Sequence, residues 1–246
     1  MVDIPDLGEG FLEMWRELLL LAKQAPAPWT LIGAHMVALH GWRAGRKEPR
    51  ASKDADILVN ARVVGGGTQK VSRTLLSRGF SLDGVSPEGI GHRFVKGHVR
   101  LDVLGSDGVG SHISLQTVQG ARTVEVPGGS QALRRTEMVE IRVDRTSGAI
   151  PVPDILGAIL VKVRAIEVDD VPRAQRADVA FLLSLVEDPD LLAAALSKSE
   201  RRWLKRHPEF ADPTSPCYQG IAHPAYAATV FRRLTRGSEA TGDRIE

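Results

Sequence analysis

The sequence predicts a mixed α/β core over residues 1–150 and a C-terminal helical bundle over residues 151–246. Three observations predict it. Strand-type alternation and helical periodicity take turns along the first part, Pro151-Val-Pro153 closes this strand-rich part, and every periodic segment beyond it is helical. With 246 residues the chain can bury a core without disulfide or metal staples.

Phe11, Leu12, Trp15, Leu18, Leu19 and Ala22 recur at helical spacing, so an amphipathic first helix runs until Pro26 and Pro28 end it. Trp29-Thr-Leu-Ile32 reads as a short buried strand. Gly33 breaks it, and the apolar stretch Ala34 to Leu39 starts a helix. A basic loop follows, and Ala55 to Val59 resumes strand-type alternation around Asp54 and Asp56. Gly65-Gly-Gly67 opens a helix carrying Val71, Leu75 and Leu76, which Gly79 ends. His92 to Lys96 and His98 to Leu104 read as a hairpin pivoting at Gly97. Its second strand puts Val99, Leu101 and Val103 on one face and Asp102 on the other. Arg122 to Val126 and Glu137 to Val143 complete the strands. Helices are expected over Asp154 to Ile166, Arg173 to Val186, Pro189 to Arg206 and Ala225 to Leu234, punctuated by Pro172, Pro189, Pro208, Pro213 and Pro216.

Composition excludes several classes of function. Hydrophobic residues at 43% and charged residues at 25% are globular values, not those of a disordered, collagen-like or coiled-coil chain. A net charge of +2 leaves any basic partner surface to local clusters. Cys217 is the single cysteine, so no internal disulfide and no cysteine-rich metal cluster is available, which suits a reducing cytoplasm. Asp3, Asp6, Glu9 and Glu13 stand where an export signal would carry positive charge, and no apolar run approaches the roughly 18 residues of a membrane helix. The seven histidines lack paired metal-ligand spacing, and there is no Gly-x-Ser-x-Gly elbow for acyl-enzyme chemistry. No Gly-Lys-Ser/Thr follows Gly65-Gly-Gly67, which reads as a turn rather than a phosphate loop.

The acidic residues carry the chemistry. Asp54 and Asp56, two apart in a strand, project from one face, where two ionised carboxylates repel unless a cation sits between them. The hard cation that combines a couple of carboxylates with substrate phosphates is Mg²⁺. Asp102 supplies a third carboxylate, enough for a two-metal phosphoryl displacement. Gly33-Ala34, at a strand-to-helix junction, offers free N–H groups and a helix dipole to a bound phosphate.

This arrangement of strand, Gly33-Ala34 turn, helix, Arg50-Ala-Ser-Lys-Asp-Ala-Asp56 and hairpin-borne Asp102 resembles the nucleotidyltransferase superfamily. Within it the chain looks like the AbiEii/MenT-type nucleotidyltransferases, the toxin partners of bacterial toxin–antitoxin pairs. Their later helices are matched by Ile155-Leu-Gly-Ala-Ile-Leu-Val-Lys162 and by Arg173-Ala-Gln-Arg-Ala-Asp178-Val-Ala-Phe-Leu-Leu183, so the resemblance spans roughly residues 29 to 186. It implies a nucleotidyltransferase-like mixed-sheet core. It further implies metal on Asp54 and Asp56, completed by Asp102. Nucleotide phosphates would lie on Gly33, Ala34, Ser52 and Lys162, and Asp178 would support them from the helical part.

Two basic clusters suit an RNA acceptor's phosphates: Arg43, Arg46, Lys47 and Arg50 before the carboxylates, and Arg201, Arg202 and Lys205 near the C-terminus. The expected reaction is Mg²⁺-dependent NMP transfer from an NTP to an RNA 3′ end, with tRNA as acceptor and a cognate antitoxin as partner. Two other readings stay open: nucleotidylation of a small molecule, as in aminoglycoside-modifying relatives, and a degenerate transferase serving as a binding or regulatory protein. A phosphate on Ser52 would add negative charge beside Asp54 and oppose triphosphate binding.

Overall fold

A computed structural model describes residues 1–47, 52–110 and 113–236. In chain order the first elements are β1 (Val2–Asp3), α1 (Glu9–Gln24), β2 (Trp29–Ile32), α2 (Gly33–Arg43), β3 (Asp54–Val59) and α3 (Gly67–Ser77). Then come β4 (Ser81–Leu82), β5 (Arg93–Lys96), β6 (Val99–Ser106), β7 (Gln116–Val118), β8 (Ala121–Arg122), β9 (Glu125–Val126) and α4 (Gly129–Arg134). β10 (Thr136–Val143) and β11 (Thr146–Pro153) lead into the helices α5 (Ile155–Ile166), α6 (Arg173–Ser184), α7 (Pro189–Ala195), α8 (Lys198–Leu204) and α9 (Pro224–Arg236).

The central sheet has the order β2-β3-β6-β5-β4, with β9 on the far end of β6. β3 and β6 run parallel, whereas β2 is antiparallel to β3 and β5 to β6. This mixture follows from the connections: Gly97, at φ 56, turns β5 straight back into β6, while β3 reaches its parallel partner only through the α3 crossover. The register sets Asp56 beside Asp102, Asp54 beside Arg100, Ile32 beside Asp56 and Arg93 beside Asp102. Because side chains alternate along strands, Asp54, Asp56, Arg93, Arg100 and Asp102 share one face. On the other face Ala55, Ile57, Leu101 and Val103 are wholly buried, and α1 and α3 pack against the sheet.

β1, β10 and β11 form a separate sheet in that order. β11 was not expected from the sequence, which takes Pro151-Val-Pro153 as the close of the strand-rich part; the strand continues through both prolines. It is an edge strand, where a missing N–H costs no ladder bond. The expected strand over Arg122 to Val126 is divided between β8, which pairs with β7, and β9, which pairs with β6, and between them the Thr123 hydroxyl donates to the Val103 carbonyl at 2.7 Å. The expected helix from Pro189 to Arg206 is two helices, since Ser197 caps α8 in a reciprocal capping box with Glu200. One contiguous cluster of buried apolar side chains runs from Ile4 to Leu234, so the α5–α9 helices share the core of the strand-rich part. No described helix is long and apolar enough to cross a membrane.

Candidate active site

α5 and α6 lie opposite the charged face of the sheet, and between them is a cavity of about 290 Å³. The strand-rich part contributes Gly33, Ala34, Ser52, Asp54, Asp56, Arg93 and Asp102 to its wall, and the helical part contributes Val161, Lys162, Ala165 and Gln175. Seven of the eight residues expected at the catalytic and nucleotide site therefore face one space; Asp178 stands behind them. Arg93 and Gln175 were not expected there.

Gly33 explains the close assembly. Its φ is +73°, in the left-handed region, and a Cβ on it would lie 1.8 Å from the Asp56 Oδ2. Glycine is required here so that the Asp56 carboxylate can rest against the start of α2. That helix begins on Ile32, which provides no side-chain cap, and has no acidic residue in its first turn. Its positive end thus opens toward the cavity that Gly33 and Ala34 line.

Arg93 joins two of the three carboxylates. Its Nε and Nη2 donate to the two Asp102 oxygens at 2.9 Å each, and Nη2 lies 3.1 Å from Asp54 Oδ2. The Asp102 hydrogen bond raises the guanidinium pKa above its ordinary value, and the charges of Asp102, Asp54 and Asp83 add to the rise. The two-residue hairpin turn contains the signal for this pair: counting back from Gly97-His98 sets Arg93 opposite Asp102. Among the described residues Asp54 Oδ1 is buried with no hydrogen-bond donor, and Arg100 Nη1 lies 3.7 Å from it. Ser52 Oγ donates to the Asp54 carbonyl at 3.1 Å, tying the approach of β3 to the site.

Across the cavity, Lys162 is 4% exposed and Asp178 is fully buried. Lys162 Nζ lies 2.8 Å from Asp178 Oδ2 and donates to Gln175 Oε1 at 2.9 Å, while Gln175 Nε2 donates to Asp169 at 3.0 Å. The expected phosphate ligand and its expected support are thus a buried ion pair, with the lysine on the cavity wall and the aspartate behind it.

The donor set fits a hard divalent cation on Asp54 and Asp56. One Asp54 oxygen lacks a donor, and Asp56 is cradled where any side chain on residue 33 would displace it. Among the described residues no group of three or more His, Cys, Asp or Glu is disposed to hold a metal ion, and the third carboxylate, Asp102, is bonded through both oxygens to Arg93. Two carboxylates completed by substrate phosphates and water is the mode typical of Mg²⁺.

The expected RNA contacts are dispersed. Arg43 ends α2, ten residues from Gly33 and therefore about 15 Å along the helix axis, and it pairs with Glu137. Arg46 and Lys47 are exposed beyond it, and Arg50 lies outside the described residues. Arg201 donates to the Leu234 and Ala193 carbonyls, joining α8 to α9 and α7. Arg202 and Lys205 are exposed. Arg206 pairs with Glu167 at 3.3 Å, which brings the end of α8 to within two residues of cavity-lining Ala165.

No protein-family model matches the sequence, and no curated protein matches it. A solved structure does: an antigenic nucleotidyltransferase-like protein from Paracoccidioides brasiliensis, with a TM-score of 0.50 over 89% of this chain and 93% of that one, at 10% identity. At that identity the likeness is one of fold, and the fold is a nucleotidyltransferase-like mixed α/β core carrying C-terminal helices.

Proposed function

We propose that the chain is a Mg²⁺-dependent nucleotidyltransferase that moves NMP from an NTP to an RNA 3′ end, with tRNA as the acceptor class. The observation that carries this reading is the meeting of Asp54, Asp56 and Asp102, the start of α2 and Lys162 on one cavity. On this reading residues 1–150 form the catalytic unit and residues 151–246 the helical unit that closes the site.

Asp54 and Asp56 would hold Mg²⁺, which when bound supplies positive charge to the triphosphate and to the departing pyrophosphate. The protein's own groups do the rest. Gly33 and Ala34 present backbone N–H groups to phosphate oxygens, and Ser52 borders the same space. An ammonium has three N–H donors; Asp178 and Gln175 take two of Lys162's, which leaves the third for a phosphate oxygen. Asp102, oriented by Arg93, accepts the proton of the attacking hydroxyl. The new bond joins that oxygen to the α-phosphorus, and the bond to the β-phosphate bridge breaks, releasing pyrophosphate. Catalysis of this kind rests on positioning and charge rather than on a covalent intermediate.

The RNA acceptor is supported by exposed Arg46, Lys47, Arg202 and Lys205, and the toxin role with a cognate antitoxin by the sequence motifs set out above. The test is incubation of the purified protein with Mg²⁺, each α-labelled NTP in turn and total bacterial tRNA, beside an Asp54→Ala/Asp56→Ala control. Label on RNA with the wild type alone is the expected result. NTP binding without transfer to RNA would move the acceptor to a small molecule, and absence of NTP binding would refute the enzyme.

A further inference from the structure

The Arg93 guanidinium bridges Asp102 and Asp54, two of the three carboxylates on the cavity wall. On that geometry, and resting on the nucleotidyltransferase reading, we propose that Arg93 is the built-in counter-cation of the nucleotide-free site. It competes with the divalent metal for Asp54, then turns onto the phosphates of the bound nucleotide.

Three features carry this. The first is occupancy: three charge-assisted contacts at 2.9 to 3.1 Å satisfy both oxygens of Asp102 and one of Asp54, while the second Asp54 oxygen is left without a donor. The bond to Asp54 is thus the detachable one. Asp102 is chelated in the two-pronged fork that arginine and carboxylate favour, whereas Asp54 meets only an Nη2 already given to Asp102.

The second feature is the chemistry of the cation. A guanidinium does not lose its proton in a protein, so it cannot make way for a metal by neutralising, as a lysine could. It can yield only by moving. The third feature is room to move. The Arg93 side chain is 37% exposed and borders the cavity, and only the two-residue β4 lies beyond β5 at that side of the sheet. Once a divalent cation takes the charge of Asp54, the guanidinium is repelled by it and attracted by the incoming phosphates, for which its planar fork is suited.

Arg93 is therefore a positioning residue in the empty site and a substrate contact in the loaded one, and the two roles predict opposite changes in two affinities. Mn²⁺ binding without nucleotide is measured by calorimetry on wild type, Arg93→Ala and Arg93→Lys. Binding of a Mg²⁺ complex of a non-hydrolysable α,β-methylene NTP is measured on the same proteins. Arg93→Ala should bind Mn²⁺ about tenfold more tightly than wild type, the worth of one charge-assisted hydrogen bond, and the nucleotide complex about tenfold more weakly. Arg93→Lys, which keeps the charge but not the fork, should fall between on both and serves where the alanine variant does not fold. Unchanged or weaker Mn²⁺ binding in the folded variants overturns the proposal while leaving the enzyme reading intact. Absence of Mn²⁺ and nucleotide binding in the wild type as well overturns both.

Discussion

Removing the Lys162 ammonium should destabilise the protein by about 3–5 kcal/mol, the usual result of breaking a buried ion pair by deleting one partner. Lys162→Met keeps an unbranched apolar stem as far as the ε-carbon and takes away the ammonium. The loss falls on Asp178, fully buried with its Oδ2 2.8 Å from the missing nitrogen, and on Gln175 Oε1, which loses its donor. For a chain of this size the cost should appear as a fall in Tm of about 10 °C. In Lys162→Met/Asp178→Leu no charge is left behind, and stability should return to within about 1 kcal/mol of wild type. Urea denaturation followed by circular dichroism measures all three chains. The reasoning fails if Lys162→Met costs under 1 kcal/mol, or if the double variant is as unstable as the single one. The double variant also separates two roles of one lysine. If its fold is restored while its NTP affinity is lost, the third N–H of Lys162 serves the substrate; if affinity survives, the lysine is structural alone.

Gly33→Ala should cost about 1–2 kcal/mol for the left-handed backbone alone, and should weaken Mn²⁺ binding because Asp56 must move; Gly65→Ala, whose Cβ meets nothing, is the near-neutral comparison in thermal melts and Mn²⁺ titrations. His40 gives an acid-labile joint: burial pushes its pKa down to about 4, its Nε2 donating to the Pro153 carbonyl at 2.9 Å, so the unfolded chain binds the extra proton first. Stability from this group is complete above pH 6.5 and falls by about 3 kcal/mol as pH drops toward 4. His40→Gln should flatten that slope in urea midpoints taken across the window; an unchanged slope refutes it. Ser52→Glu should weaken Mg²⁺–NTP binding by placing a carboxylate on the cavity wall two residues from Asp54, whereas Ser52→Ala should alter it little; equal affinity for both variants in calorimetry counts against the site.

Strand periodicity made the carboxylate face legible, because Asp54, Asp56 and Asp102 each break a strongly apolar alternation, and such breaks inside buried strands are read directly from composition along the chain. Lys162 was legible for the same reason in an apolar helix. What it faces was not, since its partner Asp178 arrives on a separate helix and only packing decides that the two are 2.8 Å apart. The Gly33 signal was read as backbone N–H groups free for a phosphate; that its missing Cβ also leaves the space in which the Asp56 carboxylate rests was not legible, because the residue type alone does not name its neighbour. Arg93 was missed although the hairpin count places it opposite Asp102, because an arginine on an edge-proximal strand looks like a solvated charge until the register is used. β1 and α4 were beyond reach for a simpler reason: two and six residues are too short to build a periodic pattern.

The charge of the cavity limits what can enter it. Among the described residues three carboxylates line it against two cations, and each cation is already engaged, Arg93 by Asp102 and Asp54, Lys162 by Asp178 behind the wall. A bare triphosphate would meet a wall whose two cations are each already held by a carboxylate, and in a partly desolvated space the repulsion from the three carboxylates is felt more strongly than in water. Entry therefore has to change the cavity's charge at the same time as it fills the space. On the proposed reading a divalent cation arriving with the phosphates would do this, and it would also make the Arg93 contact to Asp54 redundant. Selectivity then lies in the coupling. Phosphate without metal lacks a cation to meet it, metal without phosphate has to displace an arginine that has nowhere better to go, and only the two together satisfy every charged group on the wall.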